Sequence, residues 1–263
     1  MVTIRLKQDT LNEENKKFEQ IPLERSLFLN SIPKSGSHLL RNIFRMFVPL
    51  EDHYADQFVQ FANLKKHVEA FNPNRNLLSW GHLLFSDISA LEASVPRKLI
   101  LVRDPHSWVL ARARFFLSDE FGDEKVIVKN ENLPVDSLIN LMIFGIHKSS
   151  LSMQEMFTYM GVAWMNCGDS KLVRYEDLIK AIKNLDSDES ETFFMDLFAA
   201  AGLPKVPDDW RERVRIGSDR KQSSTASEKL TGRADLVPKV LGDEHKRLIE
   251  YAAPGLRKFL GYE

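Results

Sequence analysis

Residues 31–38, Ser-Ile-Pro-Lys-Ser-Gly-Ser-His, decide the fold because they join two apolar runs of different spacing. Residues 27–30 before them have the length and composition of a buried strand. Residues 37–47 after them repeat leucine, isoleucine and phenylalanine at helical spacing. A glycine-containing turn between a strand and a helix points backbone N–H groups into a concavity at the positive end of the helix, which suits a phosphate group. Residues 31–38 are called the lysine turn below.

The side chains of the lysine turn favour an anion but leave a simpler interpretation open. Lys34 supplies a mobile positive charge, and the hydroxyl groups of Ser35 and Ser37 are hydrogen-bond donors. The alternative is an ordinary helix N-terminus capped by Ser35 or Ser37. The Gly-Lys-Ser/Thr pattern of nucleoside-triphosphate enzymes is missing, which argues against a kinase or ATPase.

Further along the chain, short apolar strands alternate with helical patterns. Such alternation predicts an α/β fold, a single domain with a central parallel sheet and helices on both faces. Ligands bind such sheets at the carboxyl ends of the strands. The remaining predicted strands are residues 76–80, 98–102 and 171–175, and the remaining predicted helices are residues 108–117, 135–159, 191–201 and 243–259.

Length and composition place the chain among ordinary globular proteins. Its 263 residues, 43% hydrophobic and 28% charged, suit one domain over residues 21–263 after a polar extension at 1–20. The polar residues 216–239 are predicted to be an exposed loop or a lid over a cofactor. The net charge of -1 gives no field for nucleic acid. The sequence carries no signal for an oligomeric state.

The chain also lacks the sequence features of exported, disulfide-bonded and membrane-spanning proteins. A lone cysteine, Cys167, rules out an intrachain disulfide and a thiolate metal cluster. No apolar stretch reaches the roughly 20 residues of a membrane-spanning helix, and we expect no secretory signal. We therefore predict a cytoplasmic protein.

Two further residues lie where predicted strands end. Arg103 follows the strand at 98–102, where its guanidinium could pair with a second phosphate or form a salt bridge with Asp104. His82 follows the strand at 76–80, and imidazole is the usual proton acceptor for a hydroxyl group, although most histidines are structural. Arg112 and Arg114 could enlarge the basic site or face water.

Four short segments resemble, in order, those of the sulfotransferases that use 3′-phosphoadenosine 5′-phosphosulfate (PAPS). The lysine turn resembles their 5′-phosphosulfate loop, which typically reads Tyr-Pro-Lys-Ser-Gly-Thr. Gly81-His82-Leu83 resembles the segment with the catalytic histidine, and Val102-Arg103-Asp104-Pro105 the 3′-phosphate motif. Arg174-Tyr175-Glu176-Asp177-Leu178 resembles their Tyr-Glu-Asp-Leu segment. The resemblance covers about residues 26–180 and extends more loosely to the C-terminus.

The resemblance implies a role for each of these residues. Lys34 would stabilise the leaving phosphate, and His82 would be the general base. Arg103 would bind the 3′-phosphate and Tyr175 would lie against the adenine. No metal is implied, and the product would be 3′-phosphoadenosine 5′-phosphate (PAP). The residues that would cradle the 5′-phosphate are Ser35, Gly36, Ser37 and His38.

Three positions depart from the family pattern. The position eight residues after Arg103 is usually a serine that binds the 3′-phosphate, but it is Ala111 here, so Arg112 or Ser107 could compensate. Leu39 stands where the family often has a tryptophan near the adenine. Two residues of a reduced C-terminal pattern, Gly232 and Arg233, are placed at the cofactor.

The resemblance predicts transfer of a sulfonate group from PAPS to a hydroxyl group or amine of a small, partly apolar acceptor. Two alternatives remain at this point. One is a phosphotransferase or nucleotide kinase on a similar sheet, and the other is a noncatalytic nucleotide-binding module with the same fold.

Overall fold

The computed structural model describes residues 9–54, 58–118, 133–223 and 232–262. The chain divides into two compact units. The first, called the sheet unit, consists of Asp9–Val102 and Thr158–Ser223. The second, called the helical unit, consists of Met1–Gln8, Arg103–Phe157 and Ser224–Glu263.

The sheet unit is built on five parallel strands in the order β2-β3-β1-β4-β5. The predicted α/β class with a central parallel sheet is therefore confirmed. All four predicted strands are present, with ends shifted by one or two residues, and the edge strand β2 is an addition. The strands are β1 Leu27–Ser31, β2 Val59–Gln60, β3 Leu78–His82, β4 Arg97–Val102 and β5 Ser170–Arg174.

The α-helices of the described ranges follow in chain order. They are α1 Leu11–Asn15, α2 Ser37–Arg45, α3 Asp87–Glu92, α4 Pro105–Leu117, α5 Val135–Phe144, α6 Met153–Met160, α7 Tyr175–Lys183, α8 Asp188–Ala201, α9 Trp210–Ser218, α10 Asp243–Ala252 and α11 Leu256–Phe259. No helix in the described ranges is both long enough and apolar enough to cross a membrane.

Both faces of the sheet are covered within the sheet unit. Alternate side chains of β1, β3 and β4 belong to one buried cluster with residues of α2, α8 and α9, and this cluster includes Leu29, Phe44 and Phe198. On the opposite face the Phe28 ring meets the edge of Phe71 at 5.1 Å. The near-continuous burial of β1 and β4 follows from this double cover.

Two predicted helices are interrupted at glycines. The helix predicted over residues 135–159 is α5 and α6, separated at Gly145, which has a φ of 88°. A Cβ atom at Gly145 would lie 2.9 Å from the Ser150 carbonyl oxygen, so the turn that follows requires glycine. The helix predicted over residues 243–259 is α10 and α11, separated at Gly255 with a φ of 70°. Uninterrupted helices over these ranges are therefore wrong.

The structure partly describes the predicted polar extension at 1–20 and the predicted loop or lid at 216–239. In the stretch predicted as an extension, Leu11 is buried and the Asn15 amide donates to the carbonyl oxygens of Arg45 and Val48 at 2.6 Å and 3.0 Å. Residues 1–8 lie outside the described ranges. Of the predicted loop at 216–239, residues 224–231 also lie outside them, so the lid stays a prediction.

Candidate active site

The carboxyl ends of β1 and β3 bring the lysine turn and His82 together. The two strands are parallel neighbours, with Asn30 beside Gly81, so Ser31 and His82 follow at the same edge. Nδ1 of His82 lies 2.7 Å from the carbonyl oxygen of Ser31 and 3.1 Å from its hydroxyl oxygen. His82, the histidine predicted from the sequence, is therefore hydrogen-bonded to Ser31, the first residue of the lysine turn.

This contact determines which nitrogen of His82 carries the proton. A carbonyl oxygen only accepts hydrogen bonds, so Nδ1 donates and the lone pair is on Nε2. Burial, together with the nearby Lys34 charge, lowers the pKa of His82 to about 4, and the hydrogen bond to Ser31 opposes this shift. The ring is therefore neutral at pH 7 and its Nε2 can accept a proton.

The Ser31 hydroxyl group links His82 to the middle of the lysine turn. Its oxygen lies 2.9 Å from the Ser37 hydroxyl oxygen, and Ser31 is buried. Because Nδ1 of His82 donates towards Ser31, the Ser31 hydroxyl hydrogen can be donated to Ser37, which leaves the Ser37 hydrogen for a ligand. No role of Ser31 is predicted from the sequence. Its position at the end of β1, beside the end of β3, was the available signal.

The backbone of the lysine turn has two residues in the left-handed region, Lys34 with a φ of 69° and Gly36 with a φ of 99°. Such residues occur in turns whose N–H groups bind anions, although here the Ser35 N–H donates to the Ile32 carbonyl oxygen at 3.1 Å. The N-cap of α2 is Gly36, with no side-chain cap bond, so the alternative of a serine cap is wrong. The N–H groups of the first turn of α2 are thereby left without a capping side chain.

Ser35 is an unsatisfied polar group inside the turn. The residue is 0% exposed, and its hydroxyl oxygen has no hydrogen-bond partner among the described residues. An unpaired buried hydroxyl group costs about 1–3 kcal/mol. An oxygen of a bound phosphate would supply the missing partner, so the residues present fit the phosphosulfate group that the resemblance implies.

Tyr175 packs directly on the lysine turn. It is the first residue of α7, immediately after β5. A Cβ atom added to Gly36 would lie 2.6 Å from Cδ2 of Tyr175, so the ring occupies the space that a side chain at Gly36 would need. The turn thus has a phenol ring on the β5 side.

The side chain of His38 lies on the β3 side of the turn. Its ring meets the edge of the Trp80 ring at 5.0 Å between centroids. Burial, then the charges of Arg41 and Lys34, lower the pKa of His38 to about 3. The His38 ring is therefore neutral at pH 7, and its backbone N–H group lies in the first turn of α2.

In the helical unit, Arg103 is the first residue after β4. Its Nε donates to the Ser107 hydroxyl oxygen at 2.9 Å. The Asp104 carboxylate accepts two hydrogen bonds from Arg257, both at 2.9 Å, and caps α4 through the His106 N–H. Ala111 lies one turn beyond Ser107 on α4 and offers no polar side-chain atom.

Arg112 belongs to the interior of the helical unit. It is 2% exposed and donates to the carbonyl oxygens of Met142 and Leu151 and to the Ser150 hydroxyl group. These contacts tie α4 to the turn between α5 and α6. Both predictions for Arg112, compensation for Ala111 and exposure to water, are therefore wrong, and Ser107 remains as the residue that could compensate.

Gly232 and Arg233 lie beside the end of α4, also in the helical unit. Gly232 pairs with Ser118 in an isolated antiparallel bridge, and Arg233 begins a 3₁₀ turn, Arg233–Leu236. Within the described ranges, no group of three histidine, cysteine, aspartate or glutamate residues is placed to hold a metal ion. The predicted site residues of the helical unit are Arg103, Ala111, Gly232 and Arg233, and those of the sheet unit are Lys34, Ser35, Gly36, Ser37, His38, His82 and Tyr175.

The fold of this chain is similar to that of a solved protein structure. The chain is similar to mouse sulfotransferase SULT7A1, crystallised in complex with PAP, with a TM-score of 0.55 and 11% sequence identity. The similarity covers 97% of this chain and 90% of that chain. No protein-family model and no curated protein matches the sequence. At this identity the likeness shows a common fold, that of a sulfotransferase.

Proposed function

We propose that this protein is an enzyme that transfers a sulfonate group from PAPS to a hydroxyl group, or an amine, of a small and partly apolar acceptor. One observation carries the proposal. Nδ1 of His82 is hydrogen-bonded to Ser31, the first residue of the lysine turn. A neutral imidazole with a free lone pair therefore lies next to a turn suited to an anion.

The lysine turn is proposed to bind the phosphosulfate end of the donor. PAPS supplies a sulfonate group on a phosphate oxygen, and its PAP half is the leaving group. Lys34 and the backbone N–H groups of the turn would stabilise the charge on that leaving phosphate. The hydroxyl groups of Ser35 and Ser37 would donate to its oxygens, and His38 would add its backbone N–H group.

The remaining contacts with the donor follow from the resemblance and the positions described above. Arg103 would pair with the 3′-phosphate, assisted by Ser107, because a guanidinium forms strong charge-assisted hydrogen bonds to phosphate. The Tyr175 ring, which already packs on the turn, would lie against the adenine. Gly232 and Arg233 are kept as proposed donor contacts, and Ala111 as a position that contributes only its methyl group.

His82 is proposed to take the proton of the acceptor hydroxyl group. As the acceptor oxygen bonds to sulfur and the bond from sulfur to the phosphate oxygen breaks, Nε2 of His82 would receive the proton. Its pKa of about 4 reflects burial next to the Lys34 charge. A bound anion would compensate that charge, so the pKa of His82 would rise towards neutral, where proton transfer is most effective.

The test is a sulfonation screen with labelled PAPS against phenols, alcohols and amines. We expect transfer by the wild-type protein, loss of transfer in Lys34→Ala, and full transfer in Lys183→Ala, a matched change at an exposed lysine of α7. Because Lys34 and the backbone N–H groups of the lysine turn would stabilise the charge without a metal, transfer should persist in EDTA. Transfer that needs a metal would contradict this assignment.

Thermal stabilisation by nucleotides separates the alternatives. PAP should raise the melting temperature more than ATP with magnesium does. Stabilisation by ATP alone would favour a kinase, and stabilisation by PAP without transfer to any acceptor would favour a noncatalytic module. The small-molecule acceptor and the cytoplasmic location remain predictions.

A further inference from the structure

Arg41 is a stacked guanidinium with no anionic partner among the described residues. It lies on α2, one turn after Ser37, with Cζ 4.6 Å from the centroid of the Trp80 ring. The described residues offer it no hydrogen bond and no ion pair. Burial is the main reason that the pKa of Arg41 is lowered to about 10, so the group is still charged at pH 7, and its side chain is partly exposed. A partly exposed guanidinium without a carboxylate partner can pair with the anionic group of a ligand.

Other stacked arginines of the sheet unit show what is missing. The Arg211 guanidinium lies 4.4 Å from the Trp210 ring centroid and is paired with Glu191. Arg213 lies against Phe47 and is paired with Asp209. Arg41 has a similar stack, but no carboxylate of the described residues forms an ion pair with it.

The surroundings of Arg41 carry an excess positive charge. The nearby Asp9 carboxylate is bonded to both terminal nitrogens of Arg45, at 2.8 Å and 3.0 Å, so it is already engaged. The charge of Arg41 helps to lower the pKa of His38 to about 3 and that of His53 to about 4, although burial is the main cause for both. With both rings neutral, Arg41, Arg45 and Asp9 together carry one net positive charge.

A row of aromatic rings leads from Arg41 to the proposed base. The Trp80 ring is 5.4 Å from the Phe58 ring, and the Phe58 ring is 5.3 Å from the His82 ring. This row lies on the β3 side of β1, whereas Tyr175 packs on the lysine turn from β5, on the other side of β1 in the sheet. Arg41 is therefore on the side of His82, away from the proposed adenine contact.

We infer that Arg41 binds an anionic group of the acceptor. The inference rests on the proposed function and narrows its substrate class. The acceptor would carry its hydroxyl group at His82, an apolar or aromatic body along Phe58, and a compact oxyanion such as a carboxylate at Arg41. A guanidinium suits this task because its planar fork pairs with a carboxylate through two hydrogen bonds.

Two matched pairs of phenols test the inference. 2-Naphthol and 6-hydroxy-2-naphthoate differ by a carboxylate at the far end of the ring system, and 4-phenylphenol and 4′-hydroxybiphenyl-4-carboxylate form a longer pair. Calorimetric titration measures binding with and without PAP, and steady-state assays measure kcat/KM. In the wild-type protein we expect at least one carboxylate to bind about 10- to 100-fold more tightly than its neutral partner.

Substitution of Arg41 should remove this preference selectively. Arg41→Gln is expected to make the carboxylate and the neutral phenol bind equally, with binding of the neutral phenol and of PAP unchanged. Arg41→Lys keeps the charge without the fork and should retain part of the preference, and it serves as the second variant if Arg41→Gln does not fold. The matched control is Arg211→Gln, which removes a similar stack and should leave the preference intact.

Two results would overturn the inference. They are equal binding of both members of each pair by the wild-type protein, and an unchanged preference in Arg41→Gln. If the unchanged preference came with a loss of PAP affinity, Arg41 would be assigned to the donor. Carboxylate binding that depends on Arg41, in a protein that transfers no sulfonate, would support the anion site and overturn the proposed function. Transfer without any carboxylate preference would overturn the inference alone.

Discussion

Replacing Gly36 by alanine tests the packing of Tyr175 on the lysine turn. The new Cβ atom would lie 2.6 Å from Cδ2 and 2.8 Å from Cε2 of the Tyr175 ring, so the ring or the turn has to move. The φ of 99° adds strain of about 1–2 kcal/mol for a residue with a side chain. Overpacking typically costs about 1–3 kcal/mol more. We therefore expect Gly36→Ala to lower the free energy of unfolding by about 2–5 kcal/mol.

Two further variants separate these contributions. In a Tyr175→Ala background the ring is gone, so Gly36→Ala should cost only the backbone strain of about 1–2 kcal/mol. Gly255→Ala is the matched control for strain alone, because Gly255 has a φ of 70° and no heavy atom within 4 Å of its added Cβ. Urea unfolding at pH 7 measures each variant. An equal cost of Gly36→Ala in both backgrounds would refute the contact with Tyr175.

Three other predictions concern the donor, the base and pH. Arg103→Ala should weaken PAP binding by about 1.5–3 kcal/mol, measured by calorimetry, whereas unchanged affinity would remove Arg103 from the donor site. Ser31→Ala should lower kcat about 10-fold and shift the acid limb of the pH–rate profile, with little change in PAP affinity. Ser31→Thr, which keeps the hydroxyl group, should restore both kcat and the profile. A wild-type pH–rate profile in Ser31→Ala would show that the hydroxyl group does not act on His82. Finally, His38, His53 and His82 have pKa values lowered by burial, so the folded protein binds fewer protons than the unfolded chain. The free energy of unfolding should be unaffected by these rings above pH 6.5 and should fall as the pH drops towards 4, by at most about 2 kcal/mol per ring at pH 5. Urea unfolding should show a smaller pH-dependent loss of stability for His53→Gln than for the wild-type protein. A free energy of unfolding that does not change with pH would contradict the burial of these rings.

The sheet could be predicted from the sequence because its central strands are short, apolar and bounded by turn residues. Residues 27–30 and 98–102 correspond to β1 and β4, which are buried on both faces. β2 could not be predicted, since two residues carry no periodic pattern. Its pairing depends on Gly81, where a Cβ atom would lie 2.1 Å from the Val59 carbonyl oxygen.

Helix ends were less predictable because an apolar pattern can continue past the residue at which a helix ends. Residues 135–159 are apolar at many positions, yet the chain turns at Gly145 so that Arg112 can reach Ser150 and Leu151. The spacing of apolar residues contains no information on this buried arginine. Gly145 itself was the available signal, as Gly255 was for the break after α10.

The candidate site could be predicted in part. The sequence indicated the lysine turn and His82, because both follow strands that end at the same edge of a parallel sheet. The hydroxyl bridge through Ser31 depends on the register of β1 against β3, which the sequence does not show. Trp80 was expected in the core, and it is buried there, but its stacking with Arg41 depends on the side chains across two elements.

Single-turnover transfer of labelled sulfonate from PAPS by His82→Ala, compared with the wild-type protein at saturating PAPS, tests the account most directly. We expect the variant to bind PAP with near-normal affinity while the transfer rate falls by about 100-fold or more, because only the proton acceptor is lost. A variant that retained most of the wild-type rate would contradict the assignment of His82 as the base facing the lysine turn.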